Sequence, residues 1–285
     1  MKISDWGVFE VKRDNVGFLS KFGKLLEEDY LARVLPFGAL SDRSVKQIRL
    51  EDKVFFSVLL GNSGSGKGIV IVGDASAHDG ILLDYIPGLE QIIRSETRAT
   101  RPLLLNPAYS EMKGITIKDF DVAIYSLLTK QKVVIFGTES ENHLLVRSIL
   151  EACPQEFRNS IEFVTQTTSL AEKVNILGMP YAKDVTDKLE TFRDNYTAVL
   201  ANERAYGINT SKKCRQLSQL LVRGEFGRAQ EEVRKILSIA KESQEISTVF
   251  EFAEKKRIPF SDAQLILTIR AACFKLPTLE EGQEA

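Results

Sequence analysis

The chain is poor in the residues that most often carry chemistry or staple a secreted scaffold: three cysteines, two histidines and one tryptophan among 285 residues. Cys153, Cys214 and Cys273 lie about sixty residues apart with no C-x-x-C pair, which indicates neither a disulfide framework nor a zinc site but three reduced core thiols. An excess of charge of either sign is also missing. Thirty-eight basic residues against 39 acidic ones leave a formal charge of -1, so no global field is present to hold the phosphates of DNA or RNA, and no local basic patch stands out. Long apolar runs are absent as well, none approaching the roughly 18 residues that cross a bilayer. The opening MKISDWGVFEVKRDN has Lys2 but not the uninterrupted apolar stretch of a secretory signal. The expectation is a cytoplasmic protein with no nucleic-acid partner, no stable membrane insertion, and neither cofactor nor metal.

What is present is an ordinary globular composition, 44% apolar and 27% charged, on a chain long enough for about two domains and a substantial core. Trp6 to Val11 reads as a strand. Phe18, Phe22, Leu25, Leu26, Tyr30 and Val34 recur at three-to-four spacing and predict a helix from Phe18 to Leu35, ended by Pro36 and Gly38. Val54 to Leu60 and Ile69 to Val72 are apolar runs, rich in β-branched and aromatic residues, separated by a Gly, Ser and Asn stretch, the pattern of a β-hairpin. Ile81 to Ile86 fits a strand or a helix start, and a helix follows from about Pro87 to Thr97. Residues 1–100 are therefore read as a small α+β domain with an antiparallel sheet. Thr100 to Lys113 connects it to a second unit.

That unit opens with a helix, Lys118 to Thr129, and a strand buried on both sides, Val133 to Phe136. Thr138 and Glu141 have capping-box spacing at the start of the next helix, which Pro154 ends, and Ile161 to Val164 is the next strand. Residues 118–164 thus read as αβαβ with a parallel crossover. After the apolar segment Val174 to Pro180 the rest reads as helical: Asp184 to Ala205, Lys212 to Arg223, Glu225 to Lys241, Ile246 to Lys256 and Asp262 to Phe274. Ser261 with Gln264 suggests a capping box for the last of these. Residues 278–285 read as a frayed acidic tail.

Four features could carry chemistry. Gly61 to Gly68, GNSGSGKG, has the spacing of a phosphate-binding loop in Gly61, Gly66 and Lys67. Gly68, however, stands where a magnesium-ligating hydroxyl belongs, and Ile69-Val70-Ile71-Val72 continues as a strand instead of the helix whose N-terminus would hold the anion. A hairpin turn is the stronger reading, a divergent nucleotide site the weaker. Phe136 to Glu141 passes from strand to helix where phosphates often bind, but Glu139 and Glu141 already satisfy the positive helix end. Asp74 to Gly80 gathers Asp74, Ser76, His78 and Asp79, enough types for a metal or a nucleophile and base, although the same residues make ordinary turns. His143, near a helix start, reads as a surface or cap residue. Ile246 to Phe274 could be a helix-turn-helix, but only Gln264 and Arg270 on its second helix suit base reading, and two packed core helices fit better. The apolar stripe Phe226, Ala229, Val233, Ile236, Leu237 and Ala240 should be buried within the protein. No catalytic residue is singled out.

Ile124 to Gly137, in the order helix, charged turn, buried strand and recapped helix, resembles the core of DENN domains, folliculin-like members included. The likeness continues through Ile161 to Val164 and Asn175 to Pro180 and covers roughly residues 115–185. It implies a longin-like module at 1–100, a DENN-like α/β core at 101–185 and a helical region at 186–277. It also implies regulation of a small GTPase, by promoting nucleotide exchange or GTP hydrolysis, through protein contacts and within a possible hetero-oligomer. An arginine finger would be the device for GTPase activation, and no arginine is marked out for it. Two further classes stay open: a non-catalytic adaptor built from the same modules, and an enzyme using Lys67 or the Asp74 to His78 loop.

Overall fold

The protein is described by a computed structural model covering residues 1–12, 15–26, 43–50, 52–62, 65–74, 81–108, 113–168, 173–181, 196–243 and 248–274. It is a mixed α/β fold with an N-terminal sheet region and a C-terminal helical cluster. The chain begins with a short strand β1 (Lys2–Ile3) and a hairpin, β2 (Asp5–Lys12) and β3 (Asn15–Phe22). The second arm corrects the predicted helix from Phe18, whose later part, 27–35, lies outside the described residues. Phe18 and Phe22 are four apart, a spacing that suits either period. Their neighbours alternate between exposed and half-buried, and the Phe18 ring lies over Gly7, where a Cβ would come within 2.7 Å of it. Cross-strand packing decides for the strand.

An antiparallel meander follows, β4 (Arg43–Leu50), β5 (Lys53–Asn62) and β6 (Ser65–Asp74). The β5–β6 hairpin is the predicted one, longer at both ends, with Gly61 opposite Gly66 and Asn62 opposite Ser65. Gly61 has φ of +131°, open to glycine and strained for other residues. β6 turns back to pair with β2. A 3-10 turn, Leu82–Tyr85, then resolves the ambiguous Ile81 to Ile86 segment and leads into α1 (Ile86–Arg94), with a proline in its first turn and Ile86, Leu89 and Ile93 buried. β7 (Leu103–Leu104) pairs with β1.

The next stretch supplies α2 (Asp121–Leu128), the wholly buried strand β8 (Val133–Phe136), α3 (Glu139–Glu151), the single turn α4 (Gln155–Arg158) and β9 (Phe163–Val164). The capping box of Thr138 and Glu141 is formed in both directions. β10 (Ile176–Met179) lies parallel between β8 and β9, and β11 (Thr197–Leu200) is parallel to β8 on its other side. β12 (Ala205–Tyr206) closes that edge antiparallel to β11. These last two strands correct the helix expected over Asp184 to Ala205, of which 184–195 lie outside the described residues. Thr197 to Leu200 is buried throughout, so no face pattern distinguishes helix from strand, and the turn after it places Asn202 at φ of +66°.

The helical cluster consists of α5 (Lys212–Val222), α6 (Phe226–Glu242), α7 (Val249–Lys256) and α8 (Phe260–Cys273). Ser211 and Thr248 cap α5 and α7, and Gly224 at φ of +70° separates α5 from α6. The Ser261 and Gln264 capping box is corrected: α8 starts at Phe260, two residues earlier than expected, Pro259 occupies the cap position, and no side chain caps it. Pro259 lacks an N–H and sets the entry angle, leaving Ser261 inside the first turn.

Ten described strands form one sheet in the order β12-β11-β8-β10-β9-β4-β5-β6-β2-β3. It runs unbroken past residue 100, because β4 pairs antiparallel with β9. Apolar clusters cover both faces, one built around Trp6, Phe56, Phe120 and Ile135 with the helices, the other around Phe9, Phe136, Val164 and Leu177. Phe163 is fully buried at the junction, its ring edge-on to that of Phe56 with centroids 6.5 Å apart. Phe163→Ala is expected to lower stability by about 3–5 kcal/mol in urea denaturation, as a cavity between the two halves should.

Candidate functional site

The carboxyl end of β8 meets the N-terminal sheet at a layer of charged side chains. Arg147, one turn from the end of α3, donates through Nε to Asp84 Oδ1 at 2.7 Å, and both side chains are at least nine-tenths buried. Arg43, at the start of β4, bridges two carboxylates. Its Nη1 lies 3.0 Å from Glu90 Oε1 on α1, and its Nε donates to Glu139 at the start of α3. His143 sits among these groups. Burial first, then the positive charges of Arg43 and Arg147, push its imidazole down to about 4, against a weaker opposing pull from Asp84. Its Nδ1 is buried with no hydrogen-bond partner. Sequence reasoning placed His143 at a cap or on the surface; it lies instead, half-buried, between two arginines. The missed signal was Arg147, a lone arginine inside Leu144-Leu145-Val146-Arg147-Ser148-Ile149-Leu150.

Beside this layer Asn142 is wholly buried and donates through Nδ2 to Gln166 Oε1 (2.8 Å) and the Met179 carbonyl (3.1 Å). A Cβ on Gly137 would lie 2.8 Å from both Asn142 Oδ1 and Ala201 Cβ, so this glycine admits close packing of β8, α3 and β11. The turn that could have held phosphate is filled by its own carboxylate: Glu141 accepts from the Thr138 N–H (2.7 Å) and from Asn202 Nδ2 (2.6 Å), bonds that hold its pKa below the ordinary carboxylate value.

The phosphate-loop spacing falls across the tip of the β5–β6 hairpin. Gly68 is a strand residue opposite Phe9, and a Cβ there would come within 2.2 Å of the Phe9 ring and 2.7 Å of the Val58 carbonyl. The hydroxyl position of the motif is therefore filled by an aromatic ring. Lys67 lies on the surface and pairs with Glu96. Hairpin tip and charge layer are thus separate places, and the structure does not bring Lys67 together with His143. Of the Asp74 to Gly80 loop, residues 75–80 lie outside the described residues. Among the described residues no group of three or more His, Cys, Asp or Glu is placed to hold a metal ion, and no helix is long and apolar enough to cross a membrane.

The remaining candidates have structural places. Cys153 and Cys214 are buried and pushed up to about 12, chiefly by burial, which keeps both as thiols at neutral pH. On α6 the residues Phe226, Ala229, Val233, Ile236 and Ala240 are buried within the protein, as expected. α7 and α8 pack in the helical cluster, with Arg270 donating to the Ser243 carbonyl and Gln264 facing out. No family model matches the chain, and no curated protein is detectably similar to it.

Two outcomes follow from these contacts. Gly68→Ser, which completes the phosphate-loop spacing, is expected to lower stability by about 1–3 kcal/mol because the added atoms meet Phe9; calorimetry should find no ATP binding to the variant. His143 has a folded pKa of about 4 against an ordinary 6.5, so its neutral form favours folding. That contribution is complete above the ordinary value, declines as pH falls, and is lost once pH reaches the folded value. His143→Gln should therefore flatten the pH dependence of stability in this window by at most about 3 kcal/mol, measured by urea titrations across it.

Proposed function

We propose that the chain is a cytoplasmic regulator of small GTPases of the longin and DENN type, acting through protein contacts. The observation that carries the reading is the order of modules. A five-stranded antiparallel sheet closed by a helix is followed by a parallel αβα core and then a helical region, all on one sheet. This is the sequence of parts that the resemblance at 115–185 implies. On this reading the antiparallel part is the longin-like module and β8 to β10 with α2 and α3 the DENN-like core. Its work is to hold a GTPase in one conformation, which needs surface and rigidity more than reactive side chains.

A second reading, the non-catalytic adaptor, is favoured by a separate observation. Phe250 on α7 and Phe260 on α8 are 71% and 46% exposed and pack against each other with ring centroids 4.9 Å apart, tilted by 44°. Paired aromatics on a surface are characteristic of protein interfaces.

Nucleotide-release and hydrolysis rates over a panel of small GTPases separate the two. The regulator reading expects at least about a tenfold change in one rate for one GTPase. Binding without any rate change assigns the adaptor role. Neither binding nor a rate change on any member sinks both. Phe250→Asp with Phe260→Asp should abolish complex formation if the aromatic pair is the contact, with circular dichroism checking that the helices persist.

A further inference from the structure

A cavity of about 610 Å³ opens at the amino ends of β9 and β10, the opposite end of these parallel strands from the charge layer. Lys130 follows α2 in a left-handed conformation, φ of +58°, and projects its amine into this region. Lys130 Nζ donates to the Ser160 carbonyl at 3.1 Å and to the Ser160 hydroxyl, and lies 4.4 Å from the centroid of the Phe157 ring. An ammonium has three N–H groups, so among the described residues one is left without an oxygen. Among the described residues no carboxylate lies within ion-pair distance of it. Glu162, whose charge acts on Lys130, accepts from the Arg49 N–H at 2.9 Å.

A largely buried cation with no carboxylate in ion-pair reach among the described residues is unusual, because burial penalises it and an ion partner normally offsets the cost. The burial holds the Lys130 amine below the ordinary lysine value; thiolate forms of Cys273 and Cys153 and the Glu162 carboxylate would raise it, and Arg49 lowers it further. The rest of the wall divides by chemistry. Asn175 is polar, while Leu237, Ala272 and Phe274 are apolar and carry no hydrogen-bonding side chain. Arg49, Glu156 and Glu162 also line the cavity, so that two cations face two carboxylates and the wall offers no net positive charge to hold a ligand with more than one negative charge.

We propose that this cavity binds a small organic monoanion, its carboxylate on Lys130 and its apolar body against Phe157, Leu237 and Phe274. The site stands whether or not the chain contacts a GTPase, and it would make the protein responsive to a metabolite-sized acid. Carboxylate against ammonium in a partly dry site is a charge-assisted hydrogen bond, and the apolar wall supplies selectivity for a ligand larger than acetate.

Isothermal titration of the full chain with benzoate, acetate and inorganic phosphate tests it. One benzoate should bind per chain, at least about tenfold more tightly than either acetate or phosphate, and Lys130→Met should weaken benzoate by at least about tenfold. Ala272→Trp, on the exposed side of α8, should block benzoate while leaving the lysine in place. That variant decides the matter if Lys130→Met fails to fold. No benzoate binding by the natural chain, binding undiminished in both variants, or phosphate preferred over benzoate would each overturn the proposal.

Discussion

The pairing of β4 with β9 is the junction on which the architecture depends, since it makes one sheet of an antiparallel half and a parallel half. Only two residue pairs are in register there, Lys46 with Val164 and Gln47 with Phe163. The junction is extended by side chains. Val45 donates its N–H to Thr165 Oγ1 (3.1 Å) and accepts from the Thr165 N–H (2.8 Å), Ser44 donates to the Gln166 carbonyl (2.8 Å), and Gln47 donates to the Ile161 carbonyl (2.9 Å). Ser44, Gln47, Thr165 and Gln166 are all buried. A buried polar group left without a partner costs about 1–3 kcal/mol, whereas a satisfied one contributes modestly. The polar seam therefore acts chiefly as a register device: sliding β9 by one residue would leave several of these groups unpaired at once.

Over this seam lies the charge layer, and its members come from both halves. Asp84 and Glu90 belong to the N-terminal closing turn and α1, Arg43 to β4, and Glu139, His143 and Arg147 to α3. Buried ion pairs seldom add much net stability, because desolvation consumes the Coulombic gain, but removing one partner strands the other. The layer therefore restricts how α1 and α3 sit relative to each other more than it strengthens the fold. A neutral His143 belongs to the same logic: with Arg43 and Arg147 close by, a third positive charge would find little compensation.

The parts of the fold that were legible are those whose local pattern and tertiary environment agree. Val133 to Phe136, Thr138 with Glu141, and the runs flanking Gly61 to Gly68 fall where periodicity and capping chemistry place them. β4 was not legible, for Arg43-Ser44-Val45-Lys46-Gln47-Ile48 reads as a polar segment although its middle is buried. Its buried polar side chains Ser44 and Gln47 donate to the carbonyls of Gln166 and Ile161, far along the chain, and no window contains both partners. β11 failed for the opposite reason, since a strand buried on both faces carries no alternation to read. The candidate site inherits these limits. Its carboxylates, arginines and histidine are scattered from Arg43 to Arg147, and only the sheet brings them together.

The same contrast separates the two places where an anion could be imagined. Gly61 to Gly68 has the spacing of a phosphate loop, yet that loop needs a helix end after it, and a strand with Phe9 packed on Gly68 stands there instead. Lys130 sits in no motif. It has what the spacing lacks: a cation largely withdrawn from water, one N–H unspent among the described residues, and a cavity beside it with a partly apolar wall. An anion is recognised by an environment in which its charge is worth more than in water, and residue spacing matters only where it creates that environment.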